Sequence, residues 1–176
     1  MAMTLITTNS GTVTTSDFTS GIDSTYKLYI FKFIDMGPAT NGDNFLVNFS
    51  SDGGSNYNMT KTTTTFKADH YENDSGAAIS YSTGDDLAQS TAFQPLNSAI
   101  GNVSDMSLAG ELHLFDPSNT TYAKHFYART NGVAYVSLSR DFFTGGYVNS
   151  TSAVNAIQFK MSSGNMDGVI KMYGVG

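Results

Sequence analysis

The chain has no cysteine, so neither disulfides nor thiolate metal ligands hold its fold, and the redox compartment stays open. Charge is scarce as well: Asp, Glu, Lys and Arg make up 14 % of the 176 residues, and the formal net charge is −6. Nine scattered Lys and Arg cannot form the clustered basic surface that neutralises phosphates, which excludes a nucleic-acid partner. The same shortage argues against docking on an anionic membrane. No apolar run approaches the ~20 residues of a membrane-spanning helix. The start, "MAMTLITTNSGTVTTS", lacks the basic residues and apolar stretch of a secretory signal. If the protein ends up outside a cell, something other than a standard N-terminal signal carries it there, and assembly into a particle released by lysis is one such route.

Runs of strong helix formers are thin, while Thr, Val, Ile, Tyr and Phe are plentiful. Gly, Ser, Thr and Asn together supply roughly two-fifths of the chain, well above the ordinary share. With 40 % hydrophobic residues, including 10 Tyr and 12 Phe, this composition carries too much apolar surface for disorder. It is that of an all-β domain rich in turns.

Apolar residues recur at period 2 between turn clusters, which predicts about eight to ten strands. Thr4–Thr8, Thr12–Phe18, Tyr26–Asp35, Phe45–Ser50, Met59–Ala68 and "AISYST" read as strands, with Asn41-Gly42 and "SDGGSNYN" as turns. Asp85–Val103 reads mostly as loop, because Pro95 and Gly101 interrupt it. "AYVSLS" and "GGYVNST" add further strands. Two hairpins stand out. In "ELHLFDPSNTTYAKHFY", Leu114 is expected opposite Ala123 and Leu112 opposite His125; in "AIQFKMSSGNMDGVIKMYG" two apolar strands are joined by "SSGNMDG". The expected fold is an all-β, two-sheet antiparallel β-sandwich, jelly-roll-like, with residues 1–18 as an N-terminal strand or arm and 19–176 as one domain.

The chemical inventory is sparse. His113 and His125 sit on one hairpin near Glu111 and Asp116, but two histidines fall short of the three or four ligands that zinc requires. "HYEND" and "GDD" hold the densest carboxylates, which could serve acid–base chemistry or Ca²⁺, yet Asp and Asn at these places are equally explained as turn formers. "SDGGSNY" lacks the Gly-Lys-Ser/Thr ending of a phosphate-binding loop, and there is no G-x-S-x-G. The expectation is a protein that is not an enzyme and that carries no cofactor and no metal.

Tyr26–Asp35 is apolar in both phases. Tyr26, Leu28, Ile30 and Ile34 fall on one face and Tyr29, Phe31 and Phe33 on the other. One face fills the core, and the other needs cover. Tyr29, Phe31 and Phe33 are therefore the candidate subunit interface, covered by a second copy or by the N-terminal segment. Tyr57, Tyr71, Tyr81 and Tyr147 lie at or near predicted loops and are the candidate glycan contacts, since tyrosine rings stack on sugars.

The blocks "TSGIDSTYKLYIFKFIDMGPATNGDNF", "FSSDGGSNYN", "GDDLAQSTAFQPL", "LAGELHLFDPSNTTYAKHFYA" and "IQFKMSSGNMDGVIKMYG" occur in that order. Together they resemble the virion structural or tail-fibre-like proteins of tailed bacteriophages, especially those of marine bacteria, over about Thr19 to Gly174. The resemblance implies a virion location and a β-rich fold, and it offers no established catalytic residues to carry over. It implies a head decoration, a tail or neck appendage or a fibre module. Partners would be other copies of itself, in a trimer by analogy with fibres and decorations, and other virion proteins. The alternative is a carbohydrate-binding, jelly-roll module that recognises a host-surface glycan.

Overall fold

The structure is a computed structural model and describes residues 2–176. The strands are β1 (Met3–Ser10), β2 (Thr15–Phe18), β3 (Leu28–Pro38), β4 (Asp43–Ser50), β5 (Lys61–Tyr71), β6 (Ala77–Tyr81), β7 (Gln94–Ile100), β8 (Leu108–Phe115), β9 (Lys124–Ala134), β10 (Leu138–Val148), β11 (Ala156–Met161) and β12 (Met166–Val175). No helix occurs among the described residues. All the strand pairs are antiparallel, as expected of an all-β chain whose connections are short.

The hydrogen-bonded order is β1-β12-β3-β8-β9-β7-β4-β11-β2, with β10, β5 and β6 branching from β9 in that succession. The path nearly closes into a barrel. Its two ends, β1 and β2, are consecutive in the chain, and the Asn9 amide bridges the seam between them, donating to Ser16 Oγ and to the Asp17 carbonyl at 3.0 Å each. β7 meets β9 through a single residue pair, Ile100 with Ala134.

One half of the interior is aromatic. Phe159 of β11 lies 5.4 Å from Phe31, 5.2 Å from Phe33, 5.9 Å from Phe45 and 6.1 Å from Phe18, centroid to centroid. Edge-to-face pairs such as Phe33 with Phe45 and Phe18 with Phe31 set the positive ring edge against the negative ring face, which adds to the gain from area burial. Tyr29, Phe31 and Phe33 are thus inside the chain's own core, at 0 %, 0 % and 2 % exposure. The expected face assignment is reversed. The cover is β4 and β11, with Phe18 from the N-terminal segment edge-on to Phe31, and it is Ile34 that faces outward. Both faces of this strand are apolar, so alternation alone could not say which one turns inward.

The other half is polar, and β7 explains why. This strand has two irregularities in its pairing with β4, a proline at position 95 and a left-handed Ala99, so several of its carbonyls fall outside the ladder. Side chains from across the interior satisfy them: Thr130 donates to Leu96 O at 2.5 Å, Thr144 to Pro95 O at 3.3 Å and Arg140 to Ser98 O at 3.0 Å. A buried carbonyl needs such a donor.

Several connections differ from the expectation. Asp85–Val103 contains β7 rather than loop alone, and "AYVSLS" is largely the β9–β10 turn, with Ser137 at φ 56° donating back to Ala134 O. Leu114 pairs with Phe126 and Leu112 with Ala128. This odd shift of three puts buried residues opposite buried ones, where the expected register would set Leu112 against an exposed histidine. β11 and β12 do not pair. β11 lies between β4 and β2, and β12 between β3 and β1, so the apolar faces of the expected hairpin meet across the core instead of side by side.

Candidate functional site

The outer face of β8, β9, β10, β5 and β6 carries a belt of aromatic side chains. Every second residue of β9 points outward, which brings His125, Tyr127 and Arg129 to this surface. The register then sets Tyr127 beside His113 of β8 and Gly145 of β10, Arg129 beside Phe143, Phe143 beside Phe66 of β5, and Phe66 beside Tyr81 of β6. Phe66 and Phe143 stack at 4.7 Å with only 5° between their planes, and the Arg129 guanidinium sits 5.0 Å over Phe143. Phe66, Tyr81 and Tyr127 are 42 %, 53 % and 45 % exposed.

Within the belt lies a shallow depression of about 500 Å³, bounded by Thr64, Phe66, Phe115, His125, Tyr127 and Tyr147. Its floor is Gly145–Gly146. A Cβ on Gly146 would run into the Thr62 carbonyl and Thr63, whereas one on Gly145 would meet only Tyr127 Cβ at 4.0 Å. Gly146 is thus required by close strand packing, and Gly145 leaves an open space among aromatic walls.

A polar chain runs along one side. Lys32 Nζ is 3.1 Å from Glu111 Oε2, Glu111 Oε1 accepts from His113 Nε2 at 2.8 Å, and the Tyr127 hydroxyl stands 3.1 Å from His113 Nδ1. Partial burial alone would raise the Glu111 carboxyl, but hydrogen bonds from His113 and Lys32 outweigh it and hold the group below its ordinary value. The order hydroxyl–imidazole–carboxylate is that of an activated nucleophile. The geometry is not: the Tyr127 and His113 rings stack at 4.6 Å and 17°. The Nδ1 lone pair lies in the imidazole plane, so a hydroxyl on a stacked ring meets it off-axis. The arrangement fixes Tyr127 in place and does not aim a base at it.

Three carboxylates of the acidic clusters have partners of their own: Asp74 faces His70 at 3.2 Å, Asp85 accepts from Ser82 Oγ at 2.6 Å and Asp86 from the Tyr81 hydroxyl at 2.6 Å. Next to the first cluster, Asp69 forms a two-nitrogen pair with Arg140 at 2.8 Å. Asp52 organises the Asp-Gly-Gly turn, where Gly53 and Gly54 adopt φ of 73° and 91°. Hydrogen bonds from Ser50 and then Asn56 lower its carboxyl to about 2. His113 is engaged by Glu111, and His125 lies against Tyr147 at 6.1 Å. Among the described residues, no group of three or more His, Cys, Asp or Glu is placed to hold a metal ion.

Of the four candidate tyrosines, Tyr81 and Tyr147 lie on the aromatic face, at its two sides. Tyr71 belongs to the opposite phase of β5 and packs over its own turn, 3.7 Å from where a Cβ of Gly76 would stand. The Tyr57 hydroxyl is buried beside Gly54, and burial pushes it well above the ordinary tyrosine value. Phe66, Phe143, Tyr127, Phe115 and Arg129 were not singled out from the sequence. For Tyr127 and Arg129 a signal is present in "HFYARTN", where the solvent-facing phase of an alternating strand carries an aromatic ring in place of a small polar residue. Neither the known family models, nor the curated proteins, nor the solved structures include a match to this chain.

Proposed function

We propose that the protein is a non-enzymatic structural component of a phage virion, a head decoration, tail or neck appendage or fibre module. It acts by associating with copies of itself and docking on other virion proteins. The observation that carries this reading is the broad aromatic belt of Tyr81, Phe66, Phe143, Tyr127 and Phe115 on an open sheet face. A flat apolar surface suits docking, where buried aromatics and arginine anchor contacts, whereas catalysis calls for a concave site with convergent groups. The sequence blocks that resemble phage structural proteins support the same assignment. The same reading takes the fold as a two-sheet, jelly-roll-like sandwich, supported by the single-pair link between β7 and β9 and by the way β4 and β11 face β3 across the aromatic core. Mass spectrometry of purified particles tests the assignment. The protein should be present at a fixed copy number through successive purification steps, and its loss on purification would overturn the reading.

A second reading is favoured by the depression over Gly145. Aromatic rings beside hydrogen-bonding groups form the usual surface for stacking a sugar, and Tyr147, Tyr127 and Thr64 provide both. In that reading the module recognises a host-surface glycan. Glycan-array binding that disappears in Tyr147→Ala would establish it, and cleavage of the polysaccharide would show instead that the protein is an enzyme.

A further inference from the structure

Strand β6 is the conspicuous open edge of the molecule. It pairs with β5 alone, and all five of its residues, Ala77–Tyr81, are exposed, with Ile79 82 % exposed. The other edges are blunted. β1 is bent by a bulge between Leu5 and Thr7, and Asn9 ties its end to β2. The N-terminal half of β5 is met by the segment around Leu87 and Ser90. Soluble proteins protect an edge with lysine, proline or a bulge. β6, with the sequence Ala-Ala-Ile-Ser-Tyr, has none of these.

The backbone specifies what fits. Ser82 N donates to Thr65 O at 2.9 Å, and Tyr71 N donates to Gly76 O at 3.0 Å. In an antiparallel ladder successive residues turn their N–H and C=O to alternate sides. Gly76, Ala78, Ser80 and Ser82 therefore bond to β5, while Ala77, Ile79 and Tyr81 present theirs to the open side. These groups are self-complementary about Ile79. A second copy, turned by a two-fold axis, places Ile79 against Ile79 and Ala77 against Tyr81, each pair exchanging both N–H···O bonds. Ala77, Ile79 and Tyr81 also share the face of Phe66, so the aromatic belt would run on across the junction. Gly76–Gly84 contains no charge, so the paired strands themselves set no like charges together; of the acids that flank them, Asp74 lies against His70, Asp85 accepts from Ser82 and Asp86 from the Tyr81 hydroxyl.

We propose that β6 is a self-association edge, joining two copies antiparallel with Ile79 on the two-fold axis. The contact is isologous and closes with two copies, and it does not depend on where the protein works. A five-residue edge falls below the roughly 1,200 Å² of a stable complex. The free pair is accordingly weak, with Kd between about 10 µM and 1 mM, and gains strength where copies are held side by side.

Sedimentation velocity on the purified chain over a concentration series reads the dimer directly. Ile79→Pro removes the outward N–H and leaves the bonds of Ala78 and Ser80 to β5, and Ile79→Lys puts a charge on the axis; both should abolish the dimer. Because the chain has no cysteine, Ile79→Cys carries a single thiol. Hydrogen-bonded antiparallel pairs hold Cα atoms about 5.5 Å apart, within disulfide range. Mild oxidation should then link two copies on the order of tenfold faster than it links Val103→Cys, placed on an exposed residue elsewhere. A chain that stays monomeric at about 1 mM, with Ile79→Cys no faster than Val103→Cys, overturns the proposal. So does a dimer whose affinity is unchanged in Ile79→Pro and Ile79→Lys.

Discussion

Lys61 Nζ donates to Asn48 Oδ1 at 2.5 Å and to the Met59 carbonyl at 2.8 Å, wholly buried and with neutral oxygens as its partners. Burial lowers its pKa from 10.5 to about 7. Between these two values the unfolded chain holds one proton more than the folded one, so stability rises with pH, by ~1.4 kcal/mol per unit. Below pH 7 the amine is charged in both states and its contribution is flat. Urea denaturation from pH 7 to pH 10 should show this rise, and Lys61→Met should reduce it while raising stability at pH 7; the remainder comes from Lys124, which burial also lowers. An unchanged slope in Lys61→Met would show that the amine is solvated.

Arg140 grips Asp69 with Nε and Nη2 at 2.8 Å each and turns Nη1 to Ser98 O on β7. It joins three strands through one planar group. Removing the acid by Asp69→Ala leaves a largely buried guanidinium without its counter-charge and should cost about 3 kcal/mol. Arg140→Lys loses the two-pronged geometry and should recover only part of it. Chemical denaturation of both variants checks the order.

Phe159 touches four other phenylalanines. Phe159→Ala should cost about 3–5 kcal/mol, because a cavity at the meeting point of five rings cannot collapse. Phe66→Ala, on the exposed side of the same protein, should cost under about 1 kcal/mol. A similar loss for both would mean that the aromatic belt is part of the fold and not a free surface.

The all-β class was legible because Thr-rich, β-branched and aromatic runs between Gly/Asn turns leave no segment with helical periodicity; Thr60–Thr65 and Asn41-Gly42 are cases in point. The strand order was not. Ile157, Phe159 and Met161 suit Ile170 and Met172 equally well as neighbours in one sheet or as opposites across a core, and composition cannot choose between them. β7 was hidden for a related reason. Its Pro95, Asn97 and Ser98 look like loop, and only donors as distant as Thr130, Thr144 and Arg140 make that backbone acceptable inside. Of the belt, the sequence pointed only to Tyr81, with Tyr147 at its side, and as residues at or near loops rather than on a sheet face; Tyr71 and Tyr57 turn toward their own loops.

The two glycines under the depression separate stability from recognition. Gly146→Ala must push Thr62 and Thr63 aside and should destabilise the protein by a few kcal/mol, whereas Gly145→Ala finds space and should leave thermal stability within about 0.5 kcal/mol. If a ligand enters this depression, Gly145→Ala should weaken it without unfolding the chain. Thermal melts together with binding to the same glycan array make the comparison.

A density map of the assembled particle with this chain placed in it is the most direct test of a structural role. A structural role requires ordered neighbours covering the belt of Tyr81, Phe66, Phe143 and Tyr127, at a copy number set by the symmetry of the particle. A particle that lacks the chain, or holds it with this face bare to solvent, would contradict it.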